Sequence, residues 1–100
     1  MIIFDIFTFK KEATKIFSIE NFSHILETAR YAIIEQAKDK VAKGNKKKFI
    51  VDEKVISKIK ILKDSCKNDL VSWILDLLIK AVPTITQFIY NSLKEKIENL

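Results

Sequence analysis

The segment LVSWILDLLIKAV, residues 70–82, is the strongest indication of the fold class in this sequence. In a helix, apolar side chains of this segment would cover nearly the whole circumference. The polar positions Asp69, Ser72, Asp76 and Lys80 recur at steps of three and four residues and form one narrow stripe. A helix with so little polar surface lies at the centre of a bundle or is covered by another subunit. The segment therefore predicts a helical protein, with Asp69 as the cap of this helix, near residues 69–82.

The chain before this segment contains two further amphipathic patterns. The first, near residues 20–43, consists of Phe22, Leu26, Ala29, Ile33, Ala37 and Val41. The second, near residues 49–67, consists of Val55, Ile56, Ile59, Leu62 and Cys66. Both have the three- and four-residue steps of a helix with one buried face. We expect Asn21 or Ser23 to cap the first helix, and Gly44 to end it in a left-handed conformation.

A fourth helix is predicted near residues 84–99. Pro83 precedes it and is expected to break or kink the chain, because proline lacks an amide hydrogen and disfavours helical geometry at the residue before it. The chain of 100 residues has a single glycine and a single proline, fewer than hairpin-rich folds need. The predicted fold is all-α: one domain over residues 1–100, a compact bundle of about four helices with a hydrophobic N-terminal arm at residues 1–10.

Residues that support catalysis or metal binding are scarce. His24 is the only histidine and Cys66 the only cysteine, so the usual ligand sets of zinc cannot form. One glycine cannot build a phosphate-binding loop, and no nucleophile has a histidine base at a recognisable spacing. We therefore expect a non-catalytic protein without a cofactor. Cys66 is expected to be a buried structural thiol, and the absence of a signal-peptide pattern in residues 1–9 favours a cytoplasmic location.

The net charge of +5 is concentrated in residues 38–48. This basic segment contains Lys38, Lys40, Lys43, Lys46, Lys47 and Lys48, and one acidic residue, Asp39. Lysines contact phosphates as point charges, which predicts sequence-tolerant binding of nucleic acid as one alternative. Arg30 is the only arginine available for bidentate recognition of bases. The other interpretation of the segment is a solvated turn.

The chain has more large apolar side chains than a small bundle readily covers. The candidates for contact with a protein partner are Ile2, Ile3, Phe4, Phe7, Phe9, Trp73, Phe88 and Tyr90. Uncovered apolar patches of this size usually meet a partner, so self-association or stable binding of another protein is the leading prediction. The alternative is that these side chains fill the core. The arm itself is interpreted as a strand, a helical turn or a partner-binding segment.

Asp76 and Lys80 are the ionisable residues within the most apolar segment. Their four-residue spacing is that of an ion pair along a helix. One interpretation is a solvated stripe, and the other is a buried polar pair that sets register or subunit pairing. Residues 70–90 are long enough to span a bilayer, which leaves a membrane-associated role as a further alternative. The two charges and Pro83 make that role less favourable.

Part of the chain resembles the soluble region of phage holins of the Lactobacillus phage type. The residues that carry the resemblance are Ala29-Arg30-Tyr31-Ala32-Ile33-Ile34-Glu35-Gln36, Gly44 with Lys46-Lys47-Lys48, Val55-Ile56 and Leu77-Leu78-Ile79-Lys80-Ala81-Val82. Those holins begin with a transmembrane helix, for which residues 1–9 are too short. The resemblance therefore implies a small accessory protein encoded by a phage or prophage rather than a pore.

Overall fold

The computed structural model describes residues 6–39 and 44–98. These residues form four α-helices: α1 (Ile6–Ile16), α2 (Ile19–Lys38), α3 (Gly44–Asp64) and α4 (Asp69–Glu98). No strand occurs within the described ranges. The prediction of an all-α bundle of about four helices is confirmed.

Helices α2, α3 and α4 pack against one another, and the short α1 contacts α4. The largest fully buried side chains come from α3 and α4: Val55, Ile59, Val71, Leu75 and Val82. The molecule measures 52 × 22 × 18 Å, and its radius of gyration of 16.0 Å exceeds the roughly 13 Å typical of a compact domain of this length. The bundle is therefore elongated along the 30-residue α4.

The N-terminal arm is helical from Ile6 onward, which agrees with the helical interpretation of that segment. Phe9 and Ala13 pack against the core, and Ile16 belongs to it. Ile2, Ile3 and Phe4 lie outside the described residues. Ser18, rather than Asn21 or Ser23, caps α2, because its side-chain oxygen accepts a hydrogen bond from the Asn21 backbone amide at 3.1 Å.

The boundary between α2 and α3 differs from the prediction. Helix α2 ends at Lys38, and Asp39 is extended, with φ −75° and ψ 117°. Gly44 begins α3 and does not have a positive φ, so its predicted role as a left-handed helix end is wrong. The backbone amides of the first helical turn have no intrahelical hydrogen-bond acceptor, so glycine is tolerated at this position. Lys46, Lys47 and Lys48 consequently belong to a helix rather than to a turn.

Helix α4 continues through Pro83, so this residue does not break the helix, and the helices predicted near residues 69–82 and 84–99 are one. Proline in a helix interior costs about 3 kcal/mol relative to alanine. Burial of Val82 and Thr86, on either side of Pro83, opposes that cost. The start of α4 also differs from expectation. The Asn68 side-chain oxygen accepts hydrogen bonds from the amides of Leu70 and Val71, at 2.9 and 3.2 Å, so Asn68 rather than Asp69 caps the helix.

Candidate interaction surface

Helix α4 is apolar on two opposite sides. Its inner side contributes Leu75 and Val82, which are 1% and 0% exposed. On the opposite side, Trp73, Leu77 and Phe88 are 57%, 45% and 72% exposed. At about 100° per residue, these three side chains fall within an arc of about 60°. We define the outer face of α4 as Trp73, Leu77, Ala81, Thr84 and Phe88, a stripe about 22 Å long at 1.5 Å per residue.

Two charges lie along one edge of the outer face. Asp76 and Lys80 are one helical turn apart on the same side of the stripe. The Lys63 Nζ of α3 lies 2.6 Å from Asp76 Oδ1 and forms the ion pair of this carboxylate. No ion pair of Lys80 occurs within the described part of the chain, so the predicted pair within α4 is not formed. Asp76 is also half-exposed rather than buried, because its side chain retains 45% of its accessible surface.

The predicted partner-binding residues do not all lie together. Trp73 and Phe88 share the outer face of α4, whereas Tyr90 lines a cleft between α2, α3 and α4. Phe9 is half-buried against the core, and Phe7 is exposed on α1. Sequence reasoning missed Leu77 as a surface residue. Its spacing of four residues after Trp73 and eleven before Phe88 was the signal that would have placed it on the same face.

The basic segment is not a continuous cluster of solvated charges. Lys48 Nζ donates to Asp52 Oδ2 at 3.1 Å and to the Pro83 carbonyl at 2.8 Å. Thr86, which is 2% exposed, donates its hydroxyl to the Asp52 carboxylate. These contacts form a polar network between α3 and α4. Lys48 therefore joins two helices, and its contact with phosphate stays a prediction.

The remaining lysines of the basic segment are divided between surface and cleft. Lys38 and Lys46 are exposed, and Lys47 lines the cleft that also includes Tyr90. Lys40 and Lys43 lie outside the described residues. The cleft has a volume of about 390 Å³, and Gln36 Oε1 is buried there without a donor from the described residues. Its size is within the range of small-molecule sites.

A second set of polar contacts joins α1 to the loop before α4. The Glu12 carboxylate accepts hydrogen bonds from the backbone amides of Lys67 and Asn68, each at 2.9 Å. The bond from Asn68 is the main cause that lowers the pKa of Glu12. Burial, and secondarily the neighbouring Glu12, raises the pKa of the Cys66 thiol. Cys66 donates to the Leu62 carbonyl at 3.3 Å and packs against the core, but it is only partly buried, in contrast to the predicted buried thiol.

Comparisons with protein-family models, curated proteins and solved structures find no match to this chain. The resemblance to phage holins stays a prediction. Within residues 6–39 and 44–98, no helix combines the length and apolarity needed to cross a bilayer. The outer face of α4 is the feature on which a functional proposal rests.

Proposed function

We propose that this chain is a non-catalytic protein-interaction module that binds another protein through the outer face of α4. The observation that carries the proposal is the second apolar side of this helix, opposite its buried side. A helix that only covers a core needs one apolar stripe and has charged or polar residues on its other side. In α4, Trp73, Leu77 and Phe88 occupy the position where solvated residues are normally found.

The chain exposes enough surface for a protein–protein interface. The accessible surface is 7608 Å², whereas a compact monomer of this mass exposes about 5,800 Å². Each partner in a standard protein–protein interface contributes about 800 Å². Burying the exposed parts of Trp73, Leu77 and Phe88 is worth on the order of 5–10 kcal/mol before the costs of association. Large aromatic side chains of this kind are also the usual anchors of binding energy.

The nucleic-acid alternative has weaker support. Phosphate binding needs lysine ammonium groups that are free to approach the backbone of the nucleic acid. Lys48 is instead held by Asp52 and the Pro83 carbonyl. Lys38, Lys46 and Lys47 are left in the described part of the basic segment.

Site-specific photo-crosslinking in cells tests the proposal. A benzophenone amino acid replaces Leu77 on the outer face, and in a matched variant it replaces Phe49, an exposed apolar residue of α3. We expect a covalent protein adduct from position 77 and little or none from position 49. Thermal melting establishes that both variants fold. Absence of an adduct at position 77, or equal adducts at both positions, would contradict the proposal, whatever the partner is.

A further inference from the structure

We infer that the partner on the outer face of α4 is a second copy of this chain, which packs its own α4 in the antiparallel direction about a two-fold axis that passes the outer face at the level of residue 78. This inference rests on the proposed function and names the occupant of the same surface. It is carried by the placement of Asp76 and Lys80 on one edge of the outer face and by the order of apolar side chains along it.

Two-fold symmetry makes an interface self-complementary, since the same patch is present on both sides. When two helices cross in antiparallel directions about such an axis, each edge of one contact face meets the same edge of the other. A residue that precedes the axis in one copy then lies at the same level as the residue that follows the axis by the same distance in the other copy. Asp76 and Lys80 are each two residues from position 78. An axis there places Asp76 of each copy beside Lys80 of the other and forms two reciprocal ion pairs.

Both groups are available for this contact. Asp76 uses one oxygen for Lys63 and keeps 45% of its side-chain surface exposed. A carboxylate has two oxygens with about four acceptor positions, so it can receive a second ammonium group without losing the first. Lys80 is exposed and makes no ion pair within the described residues. Opposite charges at these two positions are therefore complementary between copies rather than within one copy.

The apolar residues fit the same register. Leu77 lies next to the axis, so the two copies of this side chain come together at the centre of the contact. The large Trp73 side chain lies near the level of Thr84 of the second copy and beside its small Ala81. Large side chains opposite small ones allow two helices to approach closely and to interdigitate. Phe88 lies ten residues from the level of the axis, beside the beginning of the other α4.

Other arrangements of two α4 helices lack this complementarity. A parallel two-fold pair places the edge with Asp76 and Lys80 against the opposite edge, where Ile74 and Ile85 lie, so neither charge has a partner in the second copy. An antiparallel pair centred near residue 80 brings the two Lys80 ammonium groups together, and like charges across an interface are unfavourable. The charge pattern thus selects both the direction and the register of the contact.

Charge exchange tests the inference in the full-length chain. In a homodimer of either Asp76→Lys or Lys80→Asp, both contacts between position 76 of one copy and position 80 of the other join like charges. We expect each variant alone to self-associate roughly ten to a hundred times more weakly than the unmodified chain, as measured by sedimentation velocity. A one-to-one mixture of the two variants restores opposite charges, so we expect a heterodimer with an affinity near that of the unmodified chain. The double variant within one chain should regain the homodimer.

A control separates the pairing between copies from the ion pair within one copy. Lys63→Met removes the contact between α3 and Asp76 but preserves both charges on the edge of the outer face. We expect it to leave the dimer affinity unchanged within a few-fold, and circular dichroism establishes that every variant folds.

The outcomes distinguish this inference from the proposed function. If the unmodified chain is monomeric at sub-millimolar concentration while position 77 crosslinks to a different protein, the second copy is the wrong partner and the binding surface stands. If the chain dimerises but the mixed variants do not associate, the antiparallel register is overturned. If position 77 yields no adduct to any protein, the proposed function itself is overturned.

Discussion

The Glu12 carboxylate accepts a hydrogen bond from the Asn68 backbone amide at 2.9 Å, although the two residues are 56 positions apart in the chain. The same carboxylate accepts from the Lys67 amide. Amides at the beginning of a helix have no intrahelical acceptor, and a negative charge near that end is favoured. Glu12 therefore attaches α1 to the start of α4, next to the segment that bears the outer face.

Glu12→Gln should lower the melting temperature at neutral pH, because a neutral amide oxygen is a weaker acceptor than a carboxylate. The pKa of Glu12 is lowered in the folded chain, so its ionised form stabilises the fold at pH values above the ordinary glutamate pKa of about 4.3. That contribution is lost as the pH falls through the lowered pKa. The difference in melting temperature between the unmodified chain and the variant should therefore be constant near pH 7 and disappear in strong acid. A difference that grows on acidification would show that the contact does not form.

Thr86→Val should reduce the free energy of unfolding by about 1–3 kcal/mol, because the Asp52 carboxylate loses its buried hydroxyl donor while the side-chain shape is conserved. Urea denaturation measures the change. Thr84→Val is the matched control, since Thr84 is exposed on the same helix, and its effect should stay within about 0.5 kcal/mol. Equal effects of the two substitutions would argue against the buried network.

Lys48→Met should destabilise the fold by about 1 kcal/mol, since the ammonium group that joins Asp52 to the Pro83 carbonyl is lost. The expected change in the free energy of unfolding is small because the Lys48 side chain is partly exposed to solvent. Lys46→Met removes the same charge from an exposed position of the same helix. Urea denaturation of the control should give no measurable change. If both variants behave alike, Lys48 is only a surface charge.

Substitution of Leu75 should affect mainly folding, and substitution of Leu77 should affect mainly association. Leu75→Ala removes a buried side chain and should cost about 2–5 kcal/mol of stability. Leu77→Ala should leave the stability of the dilute, monomeric chain within about 1 kcal/mol and weaken self-association. Chemical denaturation at low concentration and sedimentation velocity at high concentration measure the two quantities. A Leu77→Ala variant that associates as tightly as the unmodified chain would remove Leu77 from the interface.

Sequence periodicity predicted the helical class and much of the core. Ala29, Ile33, Val55 and Ile59 were expected on buried faces and are buried. Phe22 and Leu26 were expected there too but are exposed, because α2 buries the side that includes Ile25 and Ala32. The predicted and the buried side share Ala29 and Ile33, so periodicity located the buried side of α2 but not its exact centre.

The remaining differences arise from contacts between distant residues. Helix α1 is held by Glu12, whose acceptor role depends on amides near residue 68. Continuation of α4 through Pro83 is accompanied by a hydrogen bond from Lys48, 35 residues away. Asp76 forms an ion pair with Lys63 of another helix rather than with Lys80 of the same helix. Local propensity describes none of these interactions, since tertiary context overrides it.

In the inferred dimer a second copy of the chain covers the outer face of α4, and Trp73 reports on this contact directly because it is the only tryptophan. Its side chain is more than half exposed in the single chain. The most direct measurement is the emission maximum and acrylamide quenching of Trp73 as a function of protein concentration. Association through this face should shift the emission to shorter wavelength and reduce quenching as concentration rises, and Leu77→Ala should move both changes to higher concentration. An emission spectrum and a quenching constant that stay the same from nanomolar to sub-millimolar protein would contradict the inferred dimer.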